Sequence, residues 1–238
     1  MKTADRILET ACALFNEEGE HNVSASDIAI ALDISPGNLY YHFKGKDAIH
    51  LVLFTRLQRE LVGLLSTPLT DPNLFSDNED SPVMRSWLFL TVIIEKMYSY
   101  RYLYESPSDL MHRYPEIDRG FQRLSRLKRA ACEALVNELL GETRPSYPRL
   151  DSTINAMALT LTFWLSWDRM VNPGDKQDVI IHRGVLQLLS FCAPYMGSEQ
   201  QSFYEECEVL IARCWRPQTL NRLLSSGSAY IYTYNYSF

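Results

Sequence analysis

Ser35-Pro36-Gly37-Asn38-Leu39-Tyr40-Tyr41-His42-Phe43 is the stretch on which the reading of this chain turns. Ser35 is an N-cap residue, and Pro36 takes the first helical position, where its missing N–H costs nothing. Leu39 and Phe43 stand at i and i+4 and face inward together. Gly37, Asn38, Tyr40, Tyr41 and His42 are left to face outward, and Lys44, Lys46 and Asp47 follow at once. The run is too short and polar for a core helix. A capped, exposed helix of this kind suits the major groove of DNA, with its first residues at the base edges. Gly37 keeps the helix start slim. Asn38 can contact a base edge, with adenine offering the best bidentate geometry. Tyr40, Tyr41 and His42 offer hydroxyl and imidazole groups to phosphates, or ring faces to thymine methyls.

The residues on either side complete a three-helix head. Ile7, Leu8, Ala11, Leu14 and Phe15 recur at helical spacing, and Gly19 ends that segment. Ser24 followed by Asp27 is a capping box with Asp in the usual place of Glu. Ile28, Ala29 and Leu32 form the apolar side of a short second helix, and Asp33-Ile34 makes the turn. Ser24 and Ser26 are placed to anchor the opposite phosphate strand, as are Lys2, Thr3 and Arg6 at the chain start. Lys46 brings a cation to the free N–H groups that open the next helix, a combination that favours a phosphate. The candidate DNA-binding set is therefore Ser24, Ser26, Ser35, Pro36, Gly37, Asn38, Tyr40, Tyr41, His42, Lys44 and Lys46.

Helix-turn-helix geometry alone is a weak sign, since capped helices of this length also occur in proteins that bind no nucleic acid. Charge adds a second constraint. Met1–Lys46 carries four bases against seven acids, a net of −3, so nonspecific affinity per head is low. A dimer compensates by adding a second head.

Arg6-Ile7-Leu8, Ala11-Cys12-Ala13-Leu14-Phe15, Gly19, Val23-Ser24, Ile28-Ala29, Leu32, the run Ile34–Phe43, and Lys46 together resemble the TetR family of repressors. The resemblance covers Thr3 to Phe54 with the family's spacing intact. Asp33 stands where the family usually has glycine, and Asp is a residue that tolerates positive φ. The resemblance implies a homodimer that binds a palindromic double-stranded DNA operator and releases it when a ligand enters the body. Ser35–Phe43, with Trp87-Leu88-Phe89 and Tyr98 to Tyr104, further resembles the TetR-type regulators associated with polyhydroxyalkanoate metabolism.

The whole chain reads as all-α. A helix-turn-helix head at 1–47 is followed by a helical ligand-binding and dimerisation body at 48–225 and a tail at 226–238. Helices are expected near Lys46–Leu65, Val83–Leu103, Ser108–Tyr114, Pro115–Leu140, Leu150–Val171, Gln177–Met196 and Glu199–Arg213, with a short turn at Thr219–Leu224. Residues 66–82 hold three prolines, four acids and no base, and read as a solvated linker or loop. Tyr230, Tyr232, Tyr234, Tyr236 and Phe238 alternate with smaller or polar residues, which suggests either a strand or an unstructured tail.

For the body, Trp87, Met97, Tyr98, Phe121, Phe163, Trp164 and Trp167 are candidates to line an apolar ligand cavity. Phe163, Trp164 and Trp167 are expected on one face. Plain core is the competing reading for each. Arg119, Arg123 and Arg126 share a helix side at i, i+4 and i+7. They read as a solvated face or as a portal for an anionic effector, such as an acyl-CoA or fatty acid, with Arg123 as its marker residue. The resemblance places the dimer seam on the last two long helices. Candidates there are Asn155, Ala156, Ala158, Leu159, Thr162 and Leu165, with Val185, Leu188, Leu189 and Cys192 opposite.

Composition excludes several classes. A net charge of −6 argues against a generic polyanion binder. Five widely spaced cysteines without a CxxC pair point to thiols in a reducing compartment, not to a disulfide framework or zinc site. No leader sequence and no long apolar run is evident, so the expected location is the cytoplasm, with no membrane partner. HExxH, GxSxG, Walker and GxGxxG patterns are absent, so no enzyme, metal or cofactor is expected. A helical scaffold without sequence-specific DNA binding is the alternative function.

Overall fold

The computed structural model describes residues 2–69, 81–105, 107–141 and 149–214. The described residues are helical throughout, apart from turns and short connections, and contain no strand. In order the helices are α1 (Thr3–Glu18), α2 (Ala25–Ala31), α3 (Pro36–His42), α4 (Lys46–Ser66), α5 (Pro82–Ser99), α6 (Tyr102–Glu105), α7 (Pro107–Arg113), α8 (Pro115–Leu140), α9 (Arg149–Val171), α10 (Gln177–Ser190) and α11 (Gln200–Cys214). Most of the 66–82 linker, the turn at 219–224 and the 226–238 tail lie outside the described residues.

The chain divides into two compact units. One comprises Met1–Thr67 with Glu95–Lys128, and the other Pro68–Ile94 with Arg129–Phe238.

In the first unit, α1 buries Ile7, Leu8, Ala11 and Phe15, the face marked by its apolar spacing. It stops at Gly19, whose φ of 84° is open to glycine and whose N–H donates to the Phe15 carbonyl at 3.1 Å. A 3-10 turn at Glu20–Asn22 leads to α2. There the capping box is complete: Asp27 N–H donates to Ser24 Oγ at 3.2 Å, and Ser24 N–H donates to Asp27 Oδ2 at 2.8 Å. The hydroxyl and amide of Ser24 both donate to Asp27 and hold its carboxyl below the usual range.

α2 ends in a Schellman turn. Ile34 N–H reaches the Ala29 carbonyl and Asp33 N–H the Ile30 carbonyl, both at 3.0 Å, with Asp33 at φ 54°. Asp33 thus adopts the positive φ that its place in the sequence demands. Asp is less costly than most residues there because its short side chain tolerates this region.

Two expected helices are divided. Helix α5 ends at Ser99 and α6 restarts at Tyr102. The Asn16 side chain fills the break, donating to the Ser99 carbonyl at 2.9 Å and accepting from Tyr102 N–H at 3.1 Å. Helix α10 ends at Ser190, and a 3-10 turn follows at Ala193–Tyr195 around Pro194, which supplies no N–H to continue the ladder.

In the second unit, α9 and α10 pack through Trp164 and Gly184. Met157, Leu161, Val185, Leu188, Leu189 and Cys192 are all fully buried. Cys12, Cys132, Cys192 and Cys207 carry no disulfide. Burial pushes the Cys192 and Cys207 thiols up to about 12, which leaves them protonated and inert at neutral pH.

Candidate nucleic-acid interface

Helix α3 is fixed from beneath and open above. Leu39 is fully buried, anchoring its underside. Such burial stabilises by about 2 kcal/mol. Ser35 Oγ accepts the Asn38 N–H at 3.2 Å, and Pro36 opens the helix, as the sequence suggested. Ser35, Pro36, Gly37, Asn38, His42 and Lys44 are exposed, while Tyr40 and Tyr41 are 54% and 85% exposed. An apolar ring held 85% open on a short, firmly anchored helix is not serving the fold. The Tyr41 and His42 rings meet edge to face at 5.2 Å, giving one continuous outward surface. Ser24 and Ser26, at the start of α2, are also exposed.

Lys46 differs from expectation. Its ammonium donates to the Glu20 carbonyl oxygen at 2.8 Å and lies 3.7 Å from the Glu20 carboxylate. The side chain is therefore also tied into the fold of the head.

Glu20 is the centre of a polar cluster that sequence reasoning did not single out. Its side chain is only 6% exposed. Arg113 grips it with both terminal nitrogens, at 3.0 and 2.7 Å. His50, fully buried and stacked on Phe15 at 4.3 Å, brings Nε2 to 3.2 Å from the same carboxylate, without the alignment of a hydrogen bond. Burial pushes the Glu20 carboxyl up, but His50, Arg113 and Lys46 more than cancel this and hold it well below the usual carboxylate range. Burial lowers the His50 pKa, and it outweighs the opposing pull of Glu20. Tyr114 donates to Asp47 at 2.7 Å beside the same cluster.

Glu20, His21 and Asp109 lie close enough to share a cation. Arg113 already takes that place, with Nε at 3.0 Å from Asp109 and its two terminal nitrogens on Glu20. The group reads as an ion-pair cluster, not a metal centre. The nearest signals in the sequence were Glu20 in an acidic run and Arg113 in a basic one, and neither specifies a pairing.

The candidate ligand residues do not all share one character. In the first unit, Met97 is fully buried and Phe121 is 4% exposed. Phe121 meets Phe54 at 5.3 Å and Tyr104 at 5.8 Å. Tyr98 is half-buried, with Arg101 over its ring at 4.9 Å, and Arg123 is exposed. In the second unit, Trp87 is buried and stacked on His182 at 5.9 Å.

Phe163, Trp164 and Trp167 do not share a face. Trp164 is buried, whereas Phe163 and Trp167 are 45% and 59% exposed. The cause is the angle of about 100° between neighbouring residues on a helix. Leu159, Met170 and Val171 extend the exposed side of α9. Of the seam candidates, Val185, Leu188, Leu189, Cys192 and Leu165 are buried within the chain, while Asn155 and Leu159 are exposed.

Among the described residues, no helix is long and apolar enough to cross a membrane.

Known families match both parts of the chain. Residues 7–52 match the family model described as bacterial regulatory proteins, tetR family, and residues 56–204 match the TetR model described as bacterial transcriptional repressor. The HTH-type transcriptional regulator UidR of Escherichia coli K12 is 34% identical over 67 residues, which is 28% of this chain and 34% of UidR. The biofilm operon icaADBC HTH-type negative transcriptional regulator IcaR of Staphylococcus aureus strain Newman is 39% identical over 46 residues, 19% of this chain and 25% of IcaR. The chain thus spans about a third or less of the length of these curated relatives. A TetR-family transcriptional regulator from Marinobacter aquaeolei VT8 shares the fold, with a TM-score of 0.74 and 24% identity over 88% of this chain and 98% of that one.

Proposed function

The chain belongs to the TetR family of bacterial transcriptional regulators, and from that premise we propose a homodimeric repressor that reads a palindromic operator through α3 and releases it when an anionic effector binds the body. The observation that carries the DNA-binding half is the exposure of Tyr40 and Tyr41 above a buried Leu39. Asn38 and Gly37 start the same helix and supply base-edge and backbone contacts. The head is acidic overall, so affinity rests on these local contacts and on their doubling in a dimer.

A genomic selection with the purified protein, followed by gel shifts on the selected fragment, tests this reading. Specific, salt-sensitive binding that Tyr41→Ala abolishes is the expected result. Failure to enrich any sequence would favour a helical scaffold.

Two features of α8 and its neighbours support an anionic effector with an apolar tail, such as an acyl-CoA or fatty acid. Phe121 of α8 meets Phe54 at 5.3 Å and Tyr104 at 5.8 Å, an aromatic cluster suited to an apolar tail. Arg119, Arg123 and Arg126 stand exposed on the same helix. Titration of a long-chain acyl-CoA against the wild type and Arg123→Ala tests the assignment. Weaker binding by the variant supports it; no binding by the wild type, or equal binding by both, rejects it.

The dimer reading is supported by the exposed side of α9. Leu159, Phe163, Trp167 and Met170 fall at i, i+4, i+8 and i+11, with Val171 beside them. Contiguous apolar surface of this kind on a soluble chain marks an interface.

A further inference from the structure

Glu20 joins the two ends of the helix-turn-helix to one guanidinium. On the entry side, Glu20 begins the turn that leads through Val23, 1% exposed, to the Ser24 cap of α2. On the exit side, α3 ends at His42 with Phe43 as its cap, and Lys46, the first residue of α4, donates to the Glu20 carbonyl oxygen. Glu20 thus touches the chain on both sides of the DNA-reading motif. Arg113, the last residue of α7, then holds the Glu20 carboxylate with two bonds.

The geometry makes this contact directional. A bidentate arginine–carboxylate pair fixes both distance and plane, which a single-point lysine contact does not. Desolvation of Glu20 strengthens it. Tyr114, the next residue, adds a second tie to Asp47 in the first turn of α4. Arg113 closes α7 and Tyr114 lies directly before α8, which begins at Pro115.

Resting on the operator-binding reading above, we propose that Arg113 is a positioning residue that sets the direction of α3 through Glu20, and so determines the half-site spacing that the dimer accepts. In a two-fold dimer each recognition helix must meet its half-site at a fixed separation, which makes spacing a direct readout of head orientation. Arg113 touches no base and no phosphate in this role. Its loss leaves the reading surface of α3 intact and frees the direction in which that surface points.

The test uses the full-length protein and the sequence enriched by the wild type in a genomic selection. Affinities are measured by gel shift for that operator, for versions with one base pair added or removed at the centre, and for a single half-site. Arg113→Lys keeps the charge and removes the fork, and Glu20→Gln removes the carboxylate. Arg59→Ala, an exposed arginine of α4 outside this cluster, is the control.

The expected result is that Arg113→Lys and Glu20→Gln lower the preference for the native spacing by about fivefold or more, a typical coupling magnitude, while half-site affinity stays at the wild-type level. Combining the two variants is expected to add little to either alone. An unchanged spacing profile in Arg113→Lys overturns the proposal. So does a uniform loss on every probe, half-site included, which is what a merely structural role would give. If the wild type enriches no sequence, the operator-binding reading itself falls, an outcome distinct from either of these.

Discussion

Trp164 of α9 lies against the bare backbone of Gly184 in α10. A Cβ on Gly184 would come within 2.8 Å of the indole Cδ1, closer than side chains approach one another. The same indole donates from Nε1 to the Ile180 carbonyl at 2.9 Å, so the ring is held at its edge as well as on its face. Gly184 thus owes its identity to a close helix approach, not to an unusual φ. Gly184→Ala is expected to overpack this contact and cost about 2 kcal/mol. Urea denaturation checks this through a lower midpoint at unchanged slope. A variant as stable as the wild type would show that the α9–α10 contact relaxes freely.

The turn at Asp33 predicts a contrast between two substitutions. Asp33 sits at φ 54° within the Schellman turn that ends α2. Asp33→Ile places a β-branched residue in the left-handed region and is expected to destabilise by about 1–2 kcal/mol. Asp33→Gly relieves the conformational cost and adds unfolded-state entropy, so it is expected to be neutral within about 0.5 kcal/mol. Thermal or urea unfolding of the two variants distinguishes them. Equal losses would mean that the Asp33 side chain, not its backbone conformation, is what the turn needs.

How much of this was legible in the sequence depended on the range of the interaction. Ser24 with Asp27 and Ser35 with Asn38 are contacts across three residues, so spacing alone revealed them. Asp33 was legible only through the family resemblance, which puts glycine at this position. Asn16 was not. It interrupts α5 and α6 from 86 residues away, and the run 83–103 has unbroken helical periodicity. Glu20 and Arg113 are 93 residues apart and sit in runs of like charge that normally face solvent. Burial of an ion pair is decided by tertiary packing, which periodicity does not encode. Phe163 and Trp164 show the limit at short range: neighbours in sequence stand about 100° apart on a helix, and one is exposed while the other is buried.

Two buried histidines predict acid sensitivity above the carboxylate range. Burial lowers the pKa of His50 against the pull of Glu20, and it lowers that of His182 against Asp178. The unfolded chain binds a proton on each near pH 6.5, whereas the folded chain resists it. Stability from this source is therefore present above about pH 6.5 and is lost as pH falls from there through the folded values. The slope is bounded at about 1.4 kcal/mol per pH unit for each histidine. Glu20 acts in a lower window. Its folded pKa is depressed, so its contribution is present above about pH 4.3 and is lost as pH falls towards the folded value. Urea titrations at pH 7.5 and 5.5 are expected to give lower stability at pH 5.5. His50→Phe, which keeps a ring against Phe15, is expected to reduce the difference. An equal difference in the variant would assign the sensitivity elsewhere.

The exposed side of α9 carries the last prediction. Leu159, Phe163, Trp167, Met170 and Val171 are 61%, 45%, 59%, 71% and 53% exposed, although the opposite side of the helix, through Met157, Leu161 and Trp164, is buried. Covering such a surface with a second copy removes it from water at about 25 cal/mol per Å² of apolar area. The two-fold partner presents the same residues, so one substitution acts twice. Trp167→Glu places two carboxylates in the seam, and their desolvation opposes association. Analytical ultracentrifugation is expected to give a dimer for the wild type and a monomer for Trp167→Glu, with the helical circular-dichroism signal retained because Trp167 contributes little to the interior of its own chain. The monomer should keep half-site binding and lose the added affinity of the full operator, since only the link between heads is gone. A wild type that sediments as a monomer, or a Trp167→Glu variant that remains dimeric, would move the interface off this face of α9.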